Sequence, residues 1–98
     1  MNEEAYLTIL YDYYGELLKE DQKKYFEEYY FNNLSLGEMS ENFEVSRNAI
    51  HKQLKKIELL LKDYESKLKL YQKGQELDSI IQEIKDEKLK EKLIKLNQ

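Results

Sequence analysis

The chain has no cysteine and no proline, only three glycines and a single histidine, and no apolar run longer than three or four residues. Each shortage closes off a class of proteins. Without cysteine there is no disulfide framework and no thiolate metal site. Without proline, and with so little glycine, turn-rich β architecture is disfavoured and long helices are favoured. One histidine, His51, cannot supply a histidine-rich metal site alone. The short apolar runs leave no membrane-spanning helix, so no membrane insertion is expected. The first residues, MNEEAYL, have neither a basic start nor an apolar stretch. No signal peptide is therefore expected, and a cytoplasmic location is the default.

Charged residues make up 37% of the 98 residues and hydrophobic residues 41%. That is enough for one modest core, so a single all-helical domain over residues 1–98 is expected. The formal net charge of -4 looks wrong for a nucleic-acid partner. Its distribution matters more than its sum. Residues 1–45 hold eleven acids against three lysines, and residues 46–73 hold eight Lys/Arg against three acids. Residues 74–98 are nearly balanced, with six acids and five lysines. Positive charge is thus concentrated in one segment.

Periodicity places helices along the whole chain. In the first segment, from Glu3 to about Lys19, Tyr6, Leu10, Tyr13 and Leu17 recur on one helix face, widened by Ile9, Tyr14 and Leu18. Gly15 interrupts it, marking either a close neighbour or a local weakness. A second helix is expected from about Asp21, its N-cap, to Asn32, with Tyr25, Phe26, Tyr29 and Tyr30 in i,i+4 contact. Asn32-Asn33 ends it, because asparagine tolerates the left-handed conformation. The order Ser35-Leu36-Gly37-Glu38 is a capping box that opens a short third helix. Its buried side is Leu36, Met39 and Phe43, and Ser40 is the small residue where the next helix crosses. Ser46 then caps a long helix whose apolar residues Ile50, Leu54, Ile57, Leu61, Tyr64, Leu68 and Tyr71 follow a heptad seam. Gly74 is the expected stop. The C-terminal segment, about 75–96, reads as one broken helix or two short ones folding back on the long one.

The stretch from Ser35 to Lys56 has the order of a helix-turn-helix: a short bracing helix, a tight turn and a capped basic helix. Buried Met39, Phe43, Val45 and Ile50 would pack it. Arg47, His51 and Lys55 share one helix face, and Asn48, Lys52 and Lys56 form the adjacent row. That surface offers phosphate contacts from Ser46, Lys52, Lys55 and Lys56, and base-edge contacts from Arg47 and Asn48. The bland alternative is solvated charge on a bundle helix. Glu44 occupies the turn position where glycine is usual, because that position favours positive φ. The heptad seam either buries itself against flanking helices or pairs with a second copy; its length, with Leu59, Leu60 and Leu70 beyond it, favours a homodimer. The nine tyrosines could form a stacking platform for single strands, but their helical spacing favours packing. No catalytic constellation, phosphate loop or cofactor motif is present, so a non-enzymatic protein without cofactor is expected.

The elements Tyr13-Tyr14-Gly15-Glu16-Leu17-Leu18, Gln22, Tyr25, Tyr29-Tyr30, Ser35-Leu36 with Glu38, and Val45-Ser46-Arg47 with Ala49 and Ile50 occur in that order. Leu61, Asp63-Tyr64-Glu65, Lys67-Leu68 and Tyr71 follow. Together, over about residues 5–73, they resemble the YlxM family of small bacterial helix-turn-helix proteins. The resemblance implies an all-α fold similar to region 4 of sigma factors, with a long recognition helix extended into a C-terminal helical segment. It also implies an association with the signal recognition particle pathway. The expected role is nucleic-acid-binding regulation, with duplex DNA or the particle RNA as ligand and a signal recognition particle protein as a further partner. The rival is a protein adaptor that kept the scaffold and binds a targeting-pathway GTPase.

Overall fold

A computed structural model describes residues 1–98, and every regular element is helical. The order is α1 (Glu3–Tyr14), α2 (Glu20–Phe26), α3 (Leu36–Phe43), α4 (Arg47–Leu68), α5 (Leu70–Gln82) and α6 (Glu87–Leu96). A 3-10 turn, Gly15–Leu17, follows α1, and a π turn, Glu27–Phe31, extends α2. No helix is long and apolar enough to cross a membrane.

The helix-turn-helix forms for local reasons. Ser35 Oγ accepts the Glu38 N–H at 3.1 Å, and the Glu38 carboxylate accepts the Ser35 N–H at 3.1 Å, completing the capping box. Ser46 Oγ accepts the Ala49 N–H at 3.1 Å and starts α4. Asn33 at φ 56° ends the preceding turn, as asparagine readily does. Between α3 and α4, Glu44 takes φ 56° and ψ 41°, the left-handed conformation expected at that turn. Ser40 Oγ donates to the Val45 carbonyl and ties the turn down. Val45 itself is 37% exposed, so it does not join the core as its apolar character predicts.

Two buried clusters hold the molecule. Met39, Ile50 and Leu54 fill the helix-turn-helix, ringed by Tyr25, Tyr29, Leu34, Leu36 and Phe43. Leu7, Leu10, Tyr14, Leu18, Phe26, Ile57 and Leu61 fill the space between α1, α2 and α4. The buried face of α1 is therefore Leu7, Leu10 and Tyr14; of the expected Tyr6-Leu10-Tyr13-Leu17 row Leu10 is buried and Tyr6 half-buried, and the flanking Tyr14 and Leu18 are buried as expected. Tyr13 and Leu17 are exposed, because α1 meets α4 rotated by about one residue from that row. Aromatic rings pack on one another: Tyr11 on Phe26 at 4.4 Å and Phe26 on Tyr30 at 4.4 Å. Gly15 has a close neighbour, since a Cβ there would lie 3.1 Å from the Tyr11 ring, a tight contact that the ring would have to yield to. The second helix starts one residue before Asp21. Gln22, rather than Asp21, closes its N-terminus by accepting the Lys19 N–H at 3.0 Å.

The long helix departs most from its sequence pattern. It stops at Leu68, Lys69 takes φ 56°, and α5 begins at once. Gly74 lies inside α5 and stops nothing. The cause is a long-range polar network. Tyr14 Oη donates to Glu65 Oε1 at 2.5 Å and accepts the Leu70 N–H at 3.0 Å. Glu65 Oε1 also accepts the Tyr71 N–H, and Oε2 the Gln72 N–H, each at 3.1 Å. The unpaired first N–H groups of α5 are thus capped by two side chains, one of them brought by α1. Burial, then the bond to Glu65, pushes the Tyr14 hydroxyl pKa up to about 12. The buried side of α4 consequently runs Ile50, Leu54, Ile57, Leu61, Glu65, and Leu68 is exposed. The fifth helix packs with α1 and α4, and α6 folds onto α5 rather than onto α4. Asn97 Nδ2 donates to the Gly74 carbonyl at 2.9 Å and pins the end of α6 to α5.

Candidate nucleic-acid interface

Ser46, Arg47, Asn48, His51, Lys52, Lys55 and Lys56 are all exposed, on the first three turns of α4. Caps and core produce this presentation together. Ile50, Leu54 and Ile57 turn one side of α4 inward at 0–5% exposure, which leaves the opposite side to these polar residues. No other helix covers them. Arg47, Lys52 and Lys56 pair with no carboxylate of the chain. Lys55 lies 3.5 Å from Glu58. Glu58 in turn accepts a 2.6 Å hydrogen bond from Tyr30, so the end of α2 steadies the carboxylate beside Lys55. Burial, then that bond, raises the Tyr30 pKa.

Further along the same face, His51, Lys52, Lys55, Lys56, Leu59, Leu60 and Asp63 line a shallow concavity. Cations lie at its N-terminal end and Leu59, 66% exposed, at the other. No group of three or more His, Cys, Asp or Glu side chains could hold a metal ion.

Sequence reasoning did not single out Gly37. It lies in the first turn of α3, and its φ is not positive, so no backbone strain requires glycine. Space requires it. A Cβ there would lie 2.8 Å from Nη2, 3.2 Å from Cζ and 3.3 Å from Nε of Arg47. The guanidinium therefore occupies the space that a side chain at position 37 would take. A glycine inside a well-capped helix, where it costs about 0.5–1 kcal/mol relative to alanine, was the available signal. The pairing of Glu65 with Tyr14 escaped notice for a different reason: neither has a local partner.

A capped bracing helix, a left-handed turn residue and a capped, exposed basic helix define a helix-turn-helix protein. The comparison with known families agrees. The family described as "Putative helix-turn-helix protein, YlxM / p13 like" (UPF0122) matches residues 1–98, and the chain belongs to it. A UPF0122 protein of Caldanaerobacter subterraneus subsp. tengcongensis is 46% identical over 81 residues, 83% of this chain and 69% of the relative. One from Halalkalibacterium halodurans is 41% identical over 80 residues, covering 82% and 73%. One from Bacillus thuringiensis is 42% identical over 79 residues, covering 81% and 72%.

Proposed function

We propose that this is a non-enzymatic regulatory protein that binds duplex DNA through the N-terminal turns of α4. The observation that carries the reading is the exposed cationic tip, with Arg47, Lys52 and Lys56 free of carboxylate partners on a molecule of net charge -4. Such an end attracts phosphate without first breaking ion pairs. Duplex DNA is favoured over duplex RNA on shape. An α-helix about 10–12 Å across enters a B-form major groove about 12 Å wide. The narrow, deep major groove of A-form RNA excludes it. The signal recognition particle pathway, implied by the family resemblance, makes the particle RNA the comparison ligand.

Fluorescence anisotropy tests this with a labelled duplex of about 20 base pairs, roughly two helical turns, and with the particle RNA. Binding to the DNA duplex is expected to fall steeply between about 50 and 200 mM salt. Arg47→Ala combined with Lys52→Ala should abolish it. No binding to either ligand at low salt would end the reading, and binding to RNA alone would replace the ligand.

Two further features belong to this proposal. Leu68, Leu70, Ile80, Leu89 and Leu96 are each 45–81% exposed, which favours a homodimer through the C-terminal part of the chain rather than through the now-covered heptad seam. The acidic first 45 residues, eleven acids against three lysines, favour a second reading. In it the scaffold is an adaptor that docks a basic partner such as the targeting GTPase. Binding of purified GTPase that survives Arg47→Ala would support it.

A further inference from the structure

We propose that Gly37 is a positioning residue for nucleic-acid binding: its missing side chain seats the Arg47 guanidinium against the first turn of α3, where it meets the sugar–phosphate backbone rather than a base edge. The inference rests on the duplex-binding reading above and adds a residue and a role to it.

The geometry is specific. Nε, Cζ and Nη2 of Arg47 all come within 2.8–3.3 Å of where a Gly37 Cβ would stand, nearest at Nη2, so a side chain there displaces the guanidinium from this position. Arg47 is the first residue of α4, a position from which a free arginine would swing forward into the groove. Here it is drawn back over α3. In helix-turn-helix docking the first helix crosses the DNA backbone while the tip of the second enters the groove. A guanidinium held on the first helix therefore lies along the phosphate track. Its planar fork suits two phosphate oxygens. Asn48, next on α4 and exposed, is left as the group nearest the base edges.

Gly37→Ala separates this role from a structural one. Arg47 is exposed and can move aside, and alanine is the better helix former, so the variant should melt a few degrees higher than the parent chain. Affinity should move the other way. For a random-sequence duplex of about 20 base pairs, we expect Arg47→Ala to weaken binding about ten-fold, equally on unrelated sequences, and to reduce the salt slope by about one. Gly37→Ala should weaken binding about three- to ten-fold with the same loss of slope. In the Arg47→Ala background Gly37→Ala should change affinity by less than about two-fold, because both act through one side chain. A readout without ligand is the ¹⁵N–¹H signal of Arg47 Nε. It should shift and narrow in Gly37→Ala while backbone amides away from Gly37 and Arg47 stay in place.

Gly37→Ala binding as well as the parent, or losing equally with and without Arg47, would overturn the positioning role. A sequence-dependent loss in Arg47→Ala would overturn the backbone assignment. An unmoved Nε signal would show that no seat exists, whatever the chain binds. Failure of the unaltered protein to bind any duplex would instead remove the underlying reading.

Discussion

Tyr14→Phe should loosen the joint between α4 and α5 while leaving the helix-turn-helix intact. The ring is fully buried and keeps its packing in phenylalanine, so no cavity opens and the loss isolates the hydroxyl. The hydroxyl makes two bonds: a charge-assisted donation to Glu65 at 2.5 Å, and acceptance of the Leu70 N–H at 3.0 Å. A hydrogen bond to a charged group contributes about 1.5–3 kcal/mol net. The orphaned Leu70 N–H adds up to about 1 kcal/mol, at the low end because Leu70 is half exposed and water can reach it. The sum is roughly 1.5–4 kcal/mol, a large share of the total of about 5–15 kcal/mol for a domain. Glu65→Gln should cost a similar amount. Its amide oxygen can replace Oε1, but its NH₂ then faces another N–H donor, and the negative charge at the start of α5 is lost. Urea unfolding followed by circular dichroism at 222 nm would show a lower midpoint at unchanged slope. Native-state hydrogen exchange would show faster exchange at Leu70, Tyr71 and Gln72 with α3 unaffected. The double variant should lose less than the two single losses combined, because both remove one shared bond. Strict additivity, or a Tyr14→Phe loss below about 0.5 kcal/mol, would refute the claim that this network holds the joint.

Other predictions follow from the same structure. Burial pushes the Tyr14 and Tyr11 hydroxyls up to about 12, with Glu65 and Glu27 respectively adding to it, and raises Tyr6 and Tyr30 as well. Above pH 10 the folded state then holds protons that the unfolded state releases, so stability is intact below about pH 10 and falls as pH rises towards 12. Tyrosinate absorbance at 295 nm should reach its full value for all nine tyrosines only with loss of helix; complete ionisation while the helix signal persists would contradict it. Glu44→Gly relieves the left-handed glutamate at φ 56° and should change stability by about 0 to +1 kcal/mol in urea unfolding. It should also strengthen duplex binding by removing a carboxylate beside the tip. Ile80→Glu, at a position 58% exposed, should leave the thermal melt within a few degrees yet reduce the mass by light scattering from dimer to monomer. An unchanged mass would move the self-association surface elsewhere.

Much of the candidate site was legible because it is local. Ser35 with Glu38, Ser46 with Ala49, and the left-handed Glu44 are interactions within five residues of chain, and spacing alone encodes them. The exposed cationic row followed from its phase relative to Ile50 and Leu54. The α1 face was placed only in part because tyrosine and leucine occur all round that helix, so periodicity could not choose which row meets α4. The extension of α4 to Gly74 was overestimated because no residue near Lys69 is a helix breaker. Gly37 was hidden because its reason lies in another helix.

The amino-acid order by itself determined an all-α chain, where the caps of α3 and α4 fall, and the gathering of positive charge over residues 46–73. Only the tertiary structure decided that α4 ends at Leu68, that Glu65 is buried, and that Arg47 lies over Gly37. The first group depends on hydrogen bonds and periodicities within a turn or two of helix. The second depends on partners distant in sequence or on another helix, Tyr14 and Glu65 being 51 residues apart, and such contacts exist only once the helices have packed.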